Sequence, residues 1–412
     1  MYEFVELSLE EFNNFSMQYH QPAFVQSAAI AKVQQKQNKQ YACYGVLKNN
    51  ELIGAGLYII RPVISKYTIA HCNQGPLIPF DNRELLKFYF DNVQNALKKH
   101  HCLHCILTPN FELKERNQDG EIVENGFDHS DYVDNLKAIG LEHEGFDNSL
   151  INGVGRWMFY KDVSQIETEK ELKASLNQSA RTIFNRISKM PFEIRDLDID
   201  ELEDFNQIME NTAERRQFQD RGPKYYQSLK QEFKNNLKIL VAYLDFSEYL
   251  KDLQKQETEL LKKQQQLLNK AETKKIKGQL SELNNVLVSV QKRINKVEAL
   301  NPKAELIPLA GSMFVRHGNE LTYFLSGAYD QYFDFDAPYA LQKEALKLCM
   351  NSEIKNYNFY GTNGKFNGYE DEGVYIFKKG FGGRVIEQPG NFRLVVNSMM
   401  DKLYNLSRII RK

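Results

Sequence analysis

With 412 residues the chain is too long for one ordinary hydrophobic core, so two or three domains are expected. Its 42% apolar and 12% aromatic content supports sizeable cores, and a net charge of −1 excludes a uniformly basic, nucleic-acid-coating surface. The five cysteines (Cys43, Cys72, Cys102, Cys105, Cys349) are odd in number and sparse, which fits reduced cytosolic thiols better than a disulfide framework. The start, Met-Tyr-Glu-Phe-Val-Glu, has no basic or apolar targeting region. No stretch reaches the roughly 18 uninterrupted apolar residues of a membrane span. These features predict a cytoplasmic protein that meets a membrane only from its surface.

In chain order, Tyr41 to Leu47 and Leu52 to Ile60 predict two strands joined by the Lys48-Asn49-Asn50-Glu51 turn. Ile69 to Asn73 predicts a third, ending at Gly75-Pro76. Arg83 to Lys99 has helical periodicity through Leu85, Leu86, Tyr89, Val93 and Leu97. Cys102 to Leu107 then predicts a strand, Glu112 to Asp128 a polar loop, and Tyr132 to Ile139 a short helix. In the second part, Lys170 to Ser188 and Ile199 to Thr212 predict helices, and Asn236 to Leu244 a strand.

A long segment from Tyr249 to Ala299 follows, with no Pro and only Gly278. Apolar residues recur in steps of four and three: Phe246, Leu250, Leu253, Leu260 and Leu267, then Ile276, Leu280, Leu283, Leu287, Val290, Ile294 and Val297. This spacing puts one apolar stripe on each of two helices, and the break near Lys270 to Lys275 folds them back as an antiparallel arm. Tyr249 to Lys303 holds 12 Lys/Arg against 6 Asp/Glu, so the arm is basic on an acidic body. That balance fits a polyanion near the arm, or equally a lysine-rich solvated coiled-coil face.

Strands at Leu306 to Phe314 and Leu321 to Leu325, a helix at Pro338 to Met350 and a strand at Asn356 to Phe359 complete the pattern. Leu52 to Tyr58 and Ile307 to Phe314 are alike, each an apolar strand with a small-residue centre. The fold class is therefore read as α+β with an internal duplication, the arm lying just before the second copy of the hairpin. The expected division is 1–150 for the first unit, 151–245 and 304–394 for the two parts of the second, 246–303 for the arm and 395–412 for a C-terminal helix.

Conventional chemistry is poorly supported. Cys102 and Cys105 lack a second ligand pair for zinc, and three residues apart on a strand they face opposite ways. Gly54-Ala55-Gly56 opens a strand rather than a helix, so it is no phosphate cradle, and no G-x-S-x-G occurs. With no activated nucleophile, the reaction would be one in which the substrates bring the reactive groups and the protein positions them. Binding side chains gather in three segments: Ala213-Glu214-Arg215 on to Asp220-Arg221 and Tyr225-Tyr226, whose guanidinium forks suit diphosphate; Ala337-Pro338-Tyr339-Ala340 with Gln342; and Tyr357-Asn358-Phe359-Tyr360-Gly361 with Val374 to Phe381. In the last, Lys378 sits in an apolar, strand-like run, where burial is costly unless it meets negative charge.

These segments, together with Phe24-Val25-Gln26-Ser27, Asn73-Gln74-Gly75-Pro76 and Phe377-Lys378-Lys379-Gly380, resemble in kind and order the FemABX family of non-ribosomal aminoacyltransferases. The resemblance covers nearly the whole chain, with the arm in the matching interval. It implies two tandem acetyltransferase-like (GNAT-like) subdomains with an inserted antiparallel two-helix coiled coil. It further implies transfer of Gly, Ser or Ala from aminoacyl-tRNA to the stem peptide or growing bridge of a lipid-linked peptidoglycan precursor.

By resemblance, Lys378, preceded by Phe377, is the catalytic lysine near the transferred carbonyl. Arg221 and Tyr225 hold the precursor's diphosphate and its surroundings. Lys32 is an N-terminal phosphate-binding lysine, and Arg215, Tyr339 and Tyr360 fall among the substrate-binding positions. The chain departs from the family at Thr108-Pro109, where Asp-Pro is frequent, and at Leu103 and Leu325, where Tyr can stand. The implied partners are aminoacyl-tRNA and the lipid-linked precursor at the inner membrane face, with a homodimer or other family members as further partners. No metal or coenzyme A is implied; the tRNA is the co-substrate. The alternatives are a low-activity paralogue that docks on wall precursor or partner enzymes through its arm, and a coenzyme A-dependent N-acyltransferase, against which the lack of a glycine loop opening a helix argues.

Overall fold

Two seven-stranded sheets organise the chain. The structure is a computed structural model that describes residues 1–146, 155–271, 273–300, 306–350, 352–362, 364–366 and 372–410. The first half runs β1 (Tyr2–Glu6), α1 (Leu9–Gln18), α2 (Ala28–Lys36), β2 (Gln40–Lys48), β3 (Glu51–Ile64), β4 (Tyr67–Cys72), α3 (Arg83–Lys98), β5 (Cys102–Leu107), α4 (Ser130–Ala138) and β6 (Glu142–His143). Next come β7 (Trp157–Asp162), α5 (Glu169–Ala174) and α6 (Gln178–Ile187).

The second half begins with β8 (Phe192–Asp196), α7 (Glu203–Arg216), α8 (Pro223–Phe233) and β9 (Leu237–Asp245), followed by the arm helices α9 (Phe246–Leu268) and α10 (Lys274–Leu300). It continues through β10 (Leu306–His317), β11 (Glu320–Ala328), α11 (Ala337–Cys349), β12 (Asn356–Thr362), α12 (Glu372–Gly380), β13 (Arg384–Glu387), β14 (Phe392–Val395) and α13 (Ser398–Ile410).

The first sheet has the order β1-β2-β3-β4-β5-β14-β6 and the second β8-β9-β10-β11-β12-β7-β13. Read side by side, the two orders coincide position for position, each with one parallel pair, β4 with β5 and β11 with β12. The duplication read from the sequence is therefore present, and it is interlocked. The first strand of the segment expected in the second unit, β7, fills the sixth place of the second sheet, and β14, from the end of the chain, fills that place in the first. Phe392–Val395 thus pairs with β5 rather than belonging to the second unit up to residue 394 as expected.

Two further expectations change. The arm lies inside the second hairpin rather than before it, because β9 and β10 pair along Leu306↔Asp245 to Val315↔Leu237. It replaces the short Lys48–Glu51 turn of the first copy. The single helix expected over Lys170 to Ser188 is two, because Asn177 caps α6 through its side chain and its N–H donates to the Gly380 carbonyl at 3.0 Å.

The arm is antiparallel: Gln264 bonds Asn284 and Gln291 bonds Glu257, pairs whose positions run in opposite directions. Its base is part of the body. Phe246, Tyr249, Leu253, Val290, Ile294 and Val297 join the core of the second half, with Phe246 and Tyr249 edge-on to Phe335. The inner part of each stripe therefore packs on the body as well as on the partner helix. Cys102 and Cys105 are both buried in one cluster, because a bulge between Thr68↔Cys102 and Ala70↔Cys105 resets the alternation.

Candidate functional site

The two parallel pairs end differently, and that difference places the site. In the first sheet β4 and β5 stay zipped to Cys72↔Leu107. Beyond them the chain seals the crevice: Gly75 N–H donates to the Thr108 carbonyl at 3.0 Å and Gln74 N–H to Thr108 Oγ1 at 2.5 Å. Gln26 locks this closure from the α1–α2 connection, its amide donating to the Asn73 carbonyl at 2.7 Å and accepting from Leu57 N–H at 2.9 Å. A Cβ on Gly75 would lie 2.7 Å from the Gln26 amide, so Gln and Gly are required together here.

In the second sheet β11 and β12 pair only from Glu320↔Asn356 to Thr322↔Asn358. Then β12 bulges: Tyr360 adopts φ +62° and its N–H donates to Asn358 Oδ1 at 2.7 Å. The irregular end of β12 is met by Lys378, which donates to the Gly361 carbonyl at 2.5 Å.

Lys378 lies on a helix, α12, and not in a strand. The apolar run is too short for periodicity to decide between the two, and the structure buries Tyr375 and Lys378, one helical turn apart. Lys378 is only 4% exposed, no carboxylate pairs with it among the described residues, and burial brings its ammonium down to about 7. Phe377 packs edge-on to Tyr339 at 4.8 Å and to Phe381 at 5.0 Å, and Tyr339 stacks on Phe381. Lys378, Phe377 and Tyr339 are thus brought together.

Arg221, Tyr225 and Tyr360 form a second group on the other side of the same bulge. Arg221 donates to the Tyr225 hydroxyl at 3.0 Å, and its charge and the Tyr225 ring bear on Tyr360, which burial raises above the ordinary phenol. Phe24 of the first half and Phe324 wall this group, and Leu325 packs in the same cluster. Leu325 therefore stands where the resemblance allows a Tyr, at the edge of the Arg221 group. Lys39 adds a charge. It is held below the ordinary lysine value by partial burial, then by the charges of Arg61 and Arg221. None of Lys39, Arg61 and Arg221 has a carboxylate partner among the described residues, so the three cations stand together without a counter-charge.

Two candidates lie apart. Arg215 donates to the Ala328 carbonyl at 3.1 Å and stacks on Phe333, a fastening of the β11 end. Lys32 is exposed on α2, which packs against α8. At the N-terminus of α11, Asp336 makes no side-chain cap and instead pairs its carboxylate with Arg186.

Sequence reasoning missed Lys161 on β7. It is buried, donates to the Phe381 carbonyl at 2.7 Å, and burial brings it to about 8. It fastens the turn that follows Lys378. The polar segment Glu112 to Asp128, read as a loop, clasps α12 and the start of β13 from the first half. Asp119 pairs with Lys379, the Gln118 carbonyl accepts from Tyr375, and Glu112 pairs with Arg384. An unusual lysine in an apolar strand was the only signal for Lys161, and nothing local marked the clasp.

The arrangement places one neutral-poised ammonium, an aromatic wall and an uncompensated cationic group around one strand end. It can hold an anion and stabilise a nearby oxyanion. The FemAB family model matches residues 7–411. The chain is 29% identical to aminoacyltransferase FemA of Staphylococcus epidermidis (strain ATCC 35984 / DSM 28319 / BCRC 17069 / CCUG 31568 / BM 3577 / RP62A), over 100% of this chain and 99% of that one. It is 28% identical to aminoacyltransferase FemA of Staphylococcus aureus (strain bovine RF122 / ET3-1), over 99% of each. The crystal structure of FemX superposes with a TM-score of 0.75 at 20% identity, over 97% of this chain and 99% of that one.

Proposed function

This chain belongs to the FemAB family and is an aminoacyltransferase, and we propose that it moves Gly, Ser or Ala from aminoacyl-tRNA to the stem peptide or growing cross-bridge of a lipid-linked peptidoglycan precursor. The observation that carries the assignment of the site is the buried Lys378 on the Gly361 carbonyl, beside the cationic Arg221 group. The acceptor amine attacks the ester carbonyl of the charged tRNA. A C–N bond forms, the C–O bond to the ribose breaks, and the amine proton passes to the leaving oxygen. The ester is already activated, so positioning and charge stabilisation suffice without a protein nucleophile.

Lys378 stabilises the oxyanion of the tetrahedral intermediate, with Phe377 and Tyr339 fixing its surroundings. Arg221 and Tyr225 hold the diphosphate, with Tyr360 behind them; Lys32 and Arg215 stand outside that group. The reading calls for aminoacyl-tRNA as co-substrate and for no metal or coenzyme A. The basic arm contacts the tRNA, and the protein works peripherally at the inner membrane face. The low-activity paralogue is not favoured, because the relatives are aminoacyltransferases over their whole length. Incubating the purified protein with tRNAs charged with Gly, Ser or Ala and with lipid-linked precursor, then weighing the product, tests the proposal. A precursor mass unchanged with all three would overturn it.

A further inference from the structure

The strand directions bring several turns to one edge of the first sheet. β2 begins there after Lys39, β3 ends there past Arg61, and β4 and β5, being parallel, both start there. β14 runs against β5 and ends there, leading into α13. The edge therefore carries Lys39, Arg61, the exposed Ile64 and Lys66 of the β3–β4 turn, and the exposed Lys98 and Lys99 before β5.

The helix α13 adds an apolar stripe. Met399, Leu403 and Leu406 are 71%, 53% and 56% exposed, and their spacing of four and three puts them on one face. The opposite side is tied down. Asp401 accepts from Arg393 at 2.5 Å and meets His104 Nδ1 of β5 at 2.6 Å, so the one acid of the helix is buried. Lys402, next to Leu403, is exposed. Apolar side chains flanked by lysines, on a helix tied to β5 and β14 at the sheet edge, have the composition of an interfacial surface.

We propose that this edge, with the stripe of α13 at its β5–β14 end, rests on an anionic lipid bilayer. The inference depends on the reading that the acceptor is lipid-linked. A diphosphate attached to a membrane lipid stays at the headgroup level, and the cations that would receive it, Arg61, Lys39 and Arg221, adjoin this same edge. Resting there lets the diphosphate enter the site without the lipid leaving the bilayer. The half-buried position of Lys39 among like charges fits an anion-facing rim. A second copy of this chain would also cover the stripe, but it would leave the rim of lysines facing its own like charges.

The test uses the full chain and vesicles that contain no precursor, made of phosphatidylcholine alone or with phosphatidylglycerol. The protein should sediment with the phosphatidylglycerol vesicles and release with salt. Combined Met399→Ser, Leu403→Ser and Leu406→Ser should weaken that partition roughly tenfold or more, since three exposed apolar side chains lose their lipid contact. Lys66→Glu with Lys99→Glu should weaken it through charge alone. Both variants should turn over a water-soluble precursor lacking the lipid at the wild-type rate. The proposal is overturned if wild type ignores anionic vesicles, or if the triple variant binds them as wild type does. It is also overturned if wild type is a dimer that the triple variant dissociates. A wild type that binds vesicles but cannot use the soluble precursor counts against the proposed reaction and leaves the surface standing.

Discussion

Both halves set two parallel strands side by side, and they part company where those strands end. The first crevice is stitched shut by backbone bonds from Gln74 and Gly75 to Thr108 and is wedged by Gln26. The second is released after Thr322↔Asn358, and a bulge at Tyr360 turns one carbonyl toward Lys378. One architecture thus yields a stabilising half and a working half. Two of the sequence's distinctive motifs, Phe24-Val25-Gln26-Ser27 and Asn73-Gln74-Gly75-Pro76, belong to the closed crevice through Gln26 and Gly75. A motif shared with a family of enzymes can therefore serve the scaffold rather than the chemistry.

The sharpest way to break this contrast is Lys378→Ala. Losing one oxyanion-stabilising donor typically costs on the order of 10²–10³ in rate, so turnover should collapse while precursor binding changes little. Near-wild-type turnover would remove Lys378 from the reaction. Its titration gives a second readout. Folded Lys378 titrates near 7 and unfolded lysine near its ordinary value. Between those two values the unfolded chain holds a proton that the folded chain lacks. The contribution of this group to stability therefore rises with pH across that window, by up to about 1.4 kcal/mol per unit, and is flat below it. Urea melts of wild type and Lys378→Met at pH 7 and pH 9 should show a smaller rise in the variant, which keeps the contribution of Lys161, brought by burial to about 8.

Arg221→Ala tests the other side of the bulge. Loss of a charge-assisted contact is worth about 1.5–3 kcal/mol, so titration with a soluble precursor headgroup should show a weaker complex. Equal affinities would take Arg221 out of the site. Gln26→Ala tests the closed crevice. It leaves the Asn73 carbonyl and Leu57 N–H unpaired and should cost about 1–3 kcal/mol of stability. At a temperature where the variant stays folded, its turnover number should match wild type. A selective loss of turnover would mean that the first crevice is functional after all.

Much of this was legible in the sequence because it is written in local periodicity. The two central hairpins, α3, α11 and the arm all carry apolar spacing strong enough to identify. The likeness of Leu52–Tyr58 to Ile307–Phe314 pointed to the duplication. What escaped depends on pairing over long distances. The return of β14 to the first sheet leaves no local trace, since a strand of four residues looks the same whichever neighbour it meets. The site was legible as residue types, with Lys378 conspicuous among apolar neighbours, but not as geometry. The helix under Lys378, the Lys161 brace and the Asp119 clasp on Lys379 are set by tertiary contacts.

The smallest expected effect concerns the arm. Its base is core, so removing everything from Leu250 to Leu300 would take away Leu253, Val290, Ile294 and Val297 and damage the second half. The outer part is different: residues 262–286 contain six lysines against two acids and contribute no buried side chain among those described. Joining residue 261 to residue 287 by a short turn should leave the body folded and the turnover number at saturating tRNA unchanged. If these lysines meet the tRNA backbone, the Michaelis constant for charged tRNA should rise a few-fold. Its salt dependence should also flatten, because fewer counterions are released on binding. Kinetics at two salt concentrations, with sedimentation of the same protein, separate this from a role in self-association. An unchanged tRNA dependence at both salts, with a dimer that falls apart on truncation, would move the arm from substrate binding to assembly. The contrast between halves would then rest on the crevices alone.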